Sequence, residues 1–263
     1  MARFRCRLPR GVKRLTNPVF GRIPIVIVSG PNKGLRWSLA SAGSGYGSGR
    51  RESAQLTTLA RLLHAGDTAW DIGAHHGFVS LCMAMHVGPH GRVHTFEPGR
   101  VSRWFLQKHV SWNKLTNVTI FPYALGARDG DALFGGGETS KQDRLGGGPH
   151  VVAVRTVDSL IATGECGVPT FLKIDVEGGE ADVLKHGIRA LDPSVRLLVA
   201  IHSEELYERC IPLFNTLGYR TYESSRLRRY RRTAWHGDAD IVAFGPQYSR
   251  ADQDLEMLEQ LDY

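Results

Sequence analysis

Short apolar runs alternate with amphipathic stretches along most of this 263-residue chain. The runs predict strands at Thr68–Ile72, Val93–Glu97, Val118–Tyr123, Phe171–Asp175 and Val195–Ile201. The stretches between them have the apolar spacing of helices, at Phe78–His86, Val101–Trp112, Glu180–Lys185 and Glu205–Leu217. Strands that are apolar throughout and separated by helices are typical of a parallel sheet covered on both faces. The pattern therefore predicts an α/β fold with a buried parallel sheet.

The segment before this alternation predicts a small hairpin and one helix. Ile23–Val28 and Gly34–Leu39 indicate two strands joined by a tight turn. The Gly/Ser-rich loop Ser41–Arg50 follows them. Leucines at helical spacing then predict a helix over Gln55–His64.

The end of the chain predicts a second hairpin and a terminal helix. Tyr219–Tyr222 and Asp240–Phe244 indicate two strands that add an antiparallel edge to the sheet. We expect the loop between them to be solvated, although it carries Arg226, Arg228, Arg229, Arg231 and Arg232. Ala251–Tyr263 predicts an acidic amphipathic helix that packs on its own domain, with a partner such as a second copy in a homodimer as the alternative.

A glycine turn and a carboxylate twenty-odd residues later give the first functional signal. In TAWDIGAHHG the strand ends at Asp71, and Gly73 and Gly77 follow, while the next strand ends at Glu97. Glycines allow close approach of the backbone to a ligand, and a carboxylate at the next strand end binds ribose hydroxyls. A plain strand-to-helix turn and a surface carboxylate are the alternatives. The two features together favour a nucleoside site at the carboxyl edge of the sheet.

The spacing of the turn favours one class of nucleoside ligand. It is D-x-G-x-x-x-G rather than the G-x-G-x-x-G of dinucleotide folds. A carboxylate at Asp71 would repel a diphosphate but suits a cation. S-adenosylmethionine carries a sulfonium and an ammonium group, so we expect this cofactor rather than NAD.

The sequence FLKIDVEGGE gives the second functional signal, at the end of another strand. Asp175 lies at the strand tip, and Lys173 shares its face and is expected to depress its pKa. Glu180 is placed to cap the following helix, and Glu177 stands in the turn between. A salt-bridged turn without a functional role is the alternative for this set of charges.

Six motifs, in order along residues 46–217, resemble the FkbM family of S-adenosylmethionine-dependent methyltransferases. They are DIGAHHG, TFEPG, the N-x-x-x-NV of Asn113–Val118, YALG from Tyr123, RTVDSL from Arg155 and LKIDVEGGE. The resemblance implies a Rossmann-like class I methyltransferase fold, with a mostly parallel seven-stranded sheet and an antiparallel C-terminal strand, here with an N-terminal hairpin extension. It also implies O-methyl transfer to a sugar or polyketide-type hydroxyl, as in natural product biosynthesis.

The resemblance also implies roles for individual residues. The methionine part of the cofactor would contact Asp71, Gly73, Ala74, His75 and Gly77. The ribose would bind Glu97, the adenine would lie against Tyr123 and Ala124, and Asp175 would face the transferring methyl group. Many members have Asn and a small apolar residue where His75 and His76 stand. These histidines are expected to line the pocket, or to reach the methionine carboxylate or the acceptor.

Methyl transfer requires a group that takes the proton of the acceptor hydroxyl. Asp175 is the first candidate base, and His202, one residue past the end of a strand, is the second. A divalent metal held by Asp175, Glu177 and His202 is the alternative if these side chains converge. We expect no metal.

Charge and cysteine content narrow the partners. The net charge is +7, and residues 1–22 contain seven Lys or Arg and no acid, so the remaining chain is neutral. We expect a solvated arm, with an anionic partner or membrane surface as the alternative. No run approaches the roughly 18 apolar residues of a membrane span. Cys6, Cys82, Cys166 and Cys210 show no CxxC spacing, which favours a reduced, cytoplasmic protein without structural zinc.

The segment Asp129–His150 has two glycine triplets and few apolar residues, so we expect a long loop, either a lid over the substrate or a plain mobile loop. With the N-terminal hairpin and Ser41–Arg50 it is expected to contact the acceptor. These loops are rich in glycine and have few aromatic residues, namely Tyr46 and Phe134. This composition favours a polar, hydroxylated small molecule as the acceptor. An RNA methyltransferase and a catalytically silent nucleoside-binding protein are the alternatives, and nucleic acid is disfavoured because no RNA-binding domain is visible.

These patterns divide the chain into four parts. They are a basic arm (1–22), the hairpin with its loop (23–50), the methyltransferase domain (51–247) and the acidic terminal helix (248–263).

Overall fold

The computed structural model describes residues 21–41, 45–187, 191–224 and 238–260. Most of the predicted basic arm, Cys6 and the predicted arginine-rich loop lie outside these residues. The described strands are β1 (Pro24–Val26), β2 (Arg36–Ser38), β3 (Thr68–Ile72), β4 (Arg92–Phe96), β5 (Val118–Phe121), β6 (Ala124–Leu125), β7 (Gly130–Gly135), β8 (Arg144–Leu145), β9 (His150–Arg155), β10 (Phe171–Ile174), β11 (Arg196–Ile201), β12 (Arg220–Glu223) and β13 (Ala239–Phe244). The described helices are α1 (Ser53–Leu62), α2 (Phe78–Val87), α3 (Arg100–Trp112), α4 (Val157–Ala162), α5 (Glu180–Lys185), α6 (Glu204–Thr216) and α7 (Ala251–Glu259).

Seven strands form the central sheet in the order β12-β13-β11-β10-β3-β4-β5. The pairs within β11-β10-β3-β4-β5 are parallel, and β13 is antiparallel to both of its neighbours. The predicted α/β fold with an antiparallel last strand is therefore confirmed. The edge differs in detail from the prediction, because β13 lies between β11 and β12 and β12 forms the outer edge.

Apolar side chains cover both faces of the sheet, as the continuous apolar runs predict. Trp70 and Ile72 of β3 point into one buried layer, which α4, α5 and α6 complete. Ala69 of the same strand points into the other layer, which contains α1, α2, α7 and the N-terminal hairpin. The terminal helix α7 packs against α1 through buried Ala251 and Leu258, so it packs on its own domain. None of the helices in the described ranges is both long and apolar enough to cross a membrane.

The segment Asp129–His150 is folded, and the prediction of a long loop was wrong. Strands β7, β8 and β9 join β6 in a second sheet of order β6-β9-β7-β8, called here the small sheet. The two glycine triplets of this segment, residues 135–137 and 146–148, pack closely against each other. A Cβ at Gly136 would lie 2.9 Å from the nitrogen of Gly148, and one at Gly148 would lie 2.7 Å from the nitrogen of Gly136. The glycines that suggested a loop are therefore needed for close backbone packing.

Candidate active site

The glycine turn, residues 73–77 between β3 and α2, brings two strand ends into contact. Gly73 has a φ of +80°, and a Cβ there would lie 1.9 Å from the carbonyl oxygen of Asp175. Only glycine fits this position without displacing the end of β10. The amides of Gly73 and Ala74 both donate to the carbonyl of Phe96, each at 3.1 Å, which ties the turn to β4 as well.

Glu97 lies beside the glycine turn and has a perturbed pKa. Its Oε2 accepts the amide of His75 and its Oε1 accepts the amide of Gly99, both at 2.7 Å. Burial of the side chain raises the pKa of Glu97 to about 7, even though these two hydrogen bonds favour the carboxylate. Glu97 therefore titrates near neutral pH while lying in the wall of a cavity.

Asp71 forms a buried ion pair with Lys173. The two residues lie opposite each other in the β3–β10 register, and Lys173 Nζ lies 3.2 Å from Asp71 Oδ1. The hydroxyl of Ser80 donates to Asp71 Oδ2 at 2.6 Å, and Asp71 is fully buried. Asp71 lines neither cavity described below, and its charge is matched by a buried ammonium. Its contact with a cationic cofactor stays a prediction.

Lys173 joins Asp71, the glycine turn and Asp175. Its Nζ donates to the carbonyl of Gly73 at 3.1 Å and lies 3.6 Å from Asp175 Oδ2. Burial lowers the pKa of Lys173, but Asp71 and Asp175 outweigh burial and raise it above its usual value. Lys173 therefore stays charged. It lies beside Asp175, as the sequence predicts.

Asp175 and His202 form a hydrogen-bonded pair. His202 Nε2 lies 3.1 Å from Asp175 Oδ1. This hydrogen bond raises the pKa of His202 to about 9, although burial opposes the shift. The two oxygens of Asp175 thus face two cations at neutral pH, Lys173 on one side and His202 on the other. Asp175 lines the two cavities described below, whereas His202 lines neither.

Glu177 completes a cluster with Asp175 and His202. One possible ligand atom from each of the three residues lies within 4.8 Å of the others. Such a set suits a divalent cation when the imidazole is neutral. The hydrogen bond to Asp175 favours the charged imidazole, so a metal would have to displace that proton to bind here. Glu180 does not cap the following helix as predicted, because Gly179 is at the N-cap position and no side chain caps it. The Glu180 carboxylate instead accepts the amides of Val176 at 2.8 Å and of Gly178 at 3.0 Å, in the turn before the helix.

A large cavity of about 670 Å³ opens at the carboxyl edge of the central sheet. Its volume lies within the roughly 300–1,000 Å³ of small-molecule sites. One part is formed by Gly73, His75, Glu97 and Ala124, and another by the turn from Asp175 to Gly179. Residues of the small sheet form much of the remaining wall, so the segment predicted as a loop does border the site.

A small cavity of about 80 Å³ lies under the N-terminal hairpin and meets the large one at residues that line both. The shared residues are Gly73, His75, Asp175 and Glu177. Sequence reasoning missed Trp37, Glu52 and Gln55, which also line the small cavity. The signal available was the polar pair Glu52 and Gln55 at the start of α1, directly after the Gly/Ser-rich loop.

Two residues expected to contact the cofactor, Gly77 and Tyr123, do not line the cavities, and their contacts stay predictions. Gly77 lines neither cavity; it precedes α2 with a φ of +88°, and Leu106 packs where a Cβ would be. Tyr123 also lies away from both cavities, and its hydroxyl donates to Glu165 at 3.0 Å. The half-buried ring of Tyr123 packs against the core, while the next residue, Ala124, lines the large cavity.

The strand order with antiparallel β13, the glycine turn and the buried carboxylate at the end of β4 define a class I methyltransferase that depends on S-adenosylmethionine. The Methyltransferase FkbM domain matches residues 71–231, so the chain belongs to the FkbM methyltransferase family. A comparison with curated proteins finds no match.

Several solved structures are similar to this chain. Methyltransferase FkbM from Methylobacillus flagellatus KT is 19% identical, with 68% of this chain and 44% of that chain covered and a TM-score of 0.47. A SAM-dependent O-methyltransferase from Thermotoga maritima is 15% identical, with 79% and 68% covered and a TM-score of 0.48. Precorrin-6y C5,15-methyltransferase from Geobacter metallireducens GS-15 is 16% identical, with 74% and 89% covered and a TM-score of 0.48. This chain thus spans less than half of the Methylobacillus protein.

Proposed function

We propose that this chain transfers a methyl group from S-adenosylmethionine to a hydroxyl of a small polar acceptor, with Asp175 as the base. The observation that carries the proposal is the position of Asp175, where the two cavities meet. A carboxylate there lies beside both ligands when the cofactor extends across the two cavities and the acceptor occupies the rest of the large one. A sugar or another hydroxylated natural product is the acceptor class that we propose.

The residues present suit the cofactor. Gly73 brings only backbone to the walls of the two cavities, and Glu97 offers a carboxylate for ribose hydroxyls. Ala124 and Leu125 give the same cavity an apolar wall for the adenine ring of the cofactor. The small cavity, lined by Glu52, suits the amino-acid end of the cofactor. When bound, S-adenosylmethionine supplies an electrophilic methyl group on a sulfonium.

The chain supplies position and a proton acceptor for this reaction. Lys173 and His202 hold the two oxygens of Asp175, so the carboxylate has a fixed orientation. Asp175 takes the proton that the acceptor hydroxyl loses as its oxygen gains the methyl group. His202, which is 36% exposed at its side chain, connects this carboxylate to solvent.

The charge of the large cavity supports a neutral or cationic acceptor rather than RNA. Acidic residues in its wall outnumber basic ones: Glu97, Asp129, Asp131, Asp143, Asp175, Glu177, Asp182 and Glu205 against Arg128 and Arg144. Phosphate-rich polymers bind where cationic side chains neutralise them. We therefore propose a small-molecule acceptor.

The test is a screen of the purified chain with S-adenosylmethionine against sugar nucleotides, glycosylated metabolites and single-stranded RNA. We expect one methyl group to be gained on a hydroxyl of a small molecule, detected by mass spectrometry, together with S-adenosylhomocysteine. Methylation confined to RNA would overturn the acceptor class. Cofactor binding without turnover on any acceptor would support the catalytically silent alternative.

Cofactor affinity is expected to fall by about tenfold between pH 8 and pH 6. Glu97 is the cause, because its carboxylate gains a proton near pH 7 and a neutral carboxyl accepts ribose hydroxyls less well. Titration calorimetry with S-adenosylhomocysteine across this range measures the effect. The Glu97→Gln variant should bind weakly at both pH values and lose the dependence. A wild-type affinity independent of pH would contradict the assigned role of Glu97.

A further inference from the structure

The two histidines of the glycine turn reach two different parts of the chain. His75 Nε2 and the hydroxyl of Ser140 form a hydrogen bond of 2.9 Å. Ser140 begins the 3-10 turn between β7 and β8 of the small sheet. His76 Nδ1 and the hydroxyl of Ser41 form a hydrogen bond of 2.7 Å, which joins the turn to the segment after the N-terminal hairpin.

The ring of His75 lies on a fixed surface. It stacks on the ring of His76, with centroids 3.9 Å apart and planes 7° from parallel. The His76 ring is buried and packs in turn against Phe105 at 4.6 Å. The backbone is held too, because the amide of His75 donates to Glu97 and the carbonyl of His76 accepts Nδ1 of His109 at 2.7 Å. The orientation of His75 towards Ser140 is therefore set in advance, and little entropy is lost in making that bond.

Ser140 belongs to the part of the small sheet that covers the large cavity. We call residues 134–145 the tip of the small sheet. Phe134, Ser140, Arg144 and Leu145 from the tip line the large cavity. Within the tip, β7 and β8 pair at only two positions, Phe134 with Leu145 and Gly135 with Arg144. So short a ladder gives the tip little stability of its own. A bond from Ser140 to the glycine turn therefore bears on where the tip lies.

We propose that His75 is a positioning residue that holds the tip of the small sheet over the large cavity, and so sets how tightly the cavity retains its ligand. The identity of that ligand, S-adenosylmethionine, rests on the proposed function. The attachment of the tip does not, because it is a property of the free chain.

The test combines His75→Ala, Ser140→Ala and the double variant, with hydrogen exchange at residues 134–145 of the free chain as the first measurement. We expect each single variant to exchange about 3- to 10-fold faster there, the factor for one lost hydrogen bond. The double variant should exchange no faster than either single one. The second measurement is the dissociation rate of S-adenosylmethionine, which should rise by a similar factor in all three variants.

Thr139→Ala is the matched control, because Thr139 precedes Ser140 and its hydroxyl donates to the side chain of Gln142 at 3.4 Å instead of to the glycine turn. It should exchange and bind like the wild type. The proposal is overturned if Ser140→Ala behaves like Thr139→Ala, or if the effects of the two single variants add in the double variant. If S-adenosylmethionine binds to none of the proteins, the proposed function fails, while the exchange measurement still decides the attachment of the tip.

Discussion

Replacing Asp175 by Asn is expected to lower kcat by about 10²- to 10⁴-fold, the usual contribution of a positioned base. The amide keeps the size of the side chain but takes no proton at neutral pH. The cofactor dissociation constant should change little, because Glu97 and the glycine turn are untouched. Single-turnover rates and calorimetry on the same protein separate the two effects. An unchanged rate would show that Asp175 is not the base.

The control for this prediction is Asp252→Asn, which also removes a carboxylate from an ion pair. Asp252 lies at the start of α7, and its Oδ1 is 2.8 Å from Arg220 Nη1. The residue lines neither of the two described cavities. Its variant should retain the wild-type rate. Loss of activity in both variants would point to a general effect of charge or folding rather than to the base.

If Asp175 were a metal ligand, the Asp175→Asn variant would also be inactive. Activity is therefore measured in EDTA as well. We expect activity to withstand EDTA, because the hydrogen bond to Asp175 raises the pKa of His202 to about 9 and a metal would have to displace the imidazole proton. Loss of activity in EDTA and recovery with Mg²⁺ would instead assign Asp175, Glu177 and His202 to a metal. In that case the variant reports lost metal binding rather than a lost base.

The sequence predicts the central sheet and the position of its functional edge well, because both follow from local patterns. Apolar runs give the strands, and Glu97 and Asp175 follow those runs directly. The pairing of Asp71 with Lys173 needs more than these patterns. It depends on β3 and β10 being neighbours in register, across 102 positions of sequence. The sequence alone makes Asp71 look like a charge available to a ligand.

The N-terminal hairpin and the small sheet, which cover the site, are also hard to predict, because contacts between distant residues hold them. The N-terminal hairpin is held by Trp37, which stacks on His109 at 3.8 Å, and by the amide of Ser38, which donates to His109 Nε2 at 3.0 Å. The small sheet is held by glycine contacts that in sequence indicate a loop. Both covers depend on contacts between distant residues, and apolar periodicity does not record such contacts.

Replacing Gly73 by Ala is expected to remove both the site and part of the stability. The new Cβ would lie 1.9 Å from the carbonyl oxygen of Asp175. Because this oxygen belongs to the backbone, no side chain can turn aside to relieve the clash. The ends of β3 and β10 must therefore separate, which displaces Asp175 from the glycine turn. We expect a loss of about 2 to 5 kcal/mol in the free energy of unfolding, from the positive φ and the clash together. Cofactor affinity should fall by more than about tenfold, the effect of losing at least 1.4 kcal/mol.

Gly66→Ala separates the clash from the cost of the backbone conformation. Gly66 has a φ of +89°, close to the +80° of Gly73, and a Cβ there would have nothing within 4 Å. It precedes β3 at the amino end of the strand, away from the glycine turn. This variant should lose only about 1 to 2 kcal/mol and bind the cofactor like the wild type. Urea unfolding and calorimetry on both variants make the comparison. If the two variants bind equally well, contact between the glycine turn and the end of β10 is not what shapes the cofactor site.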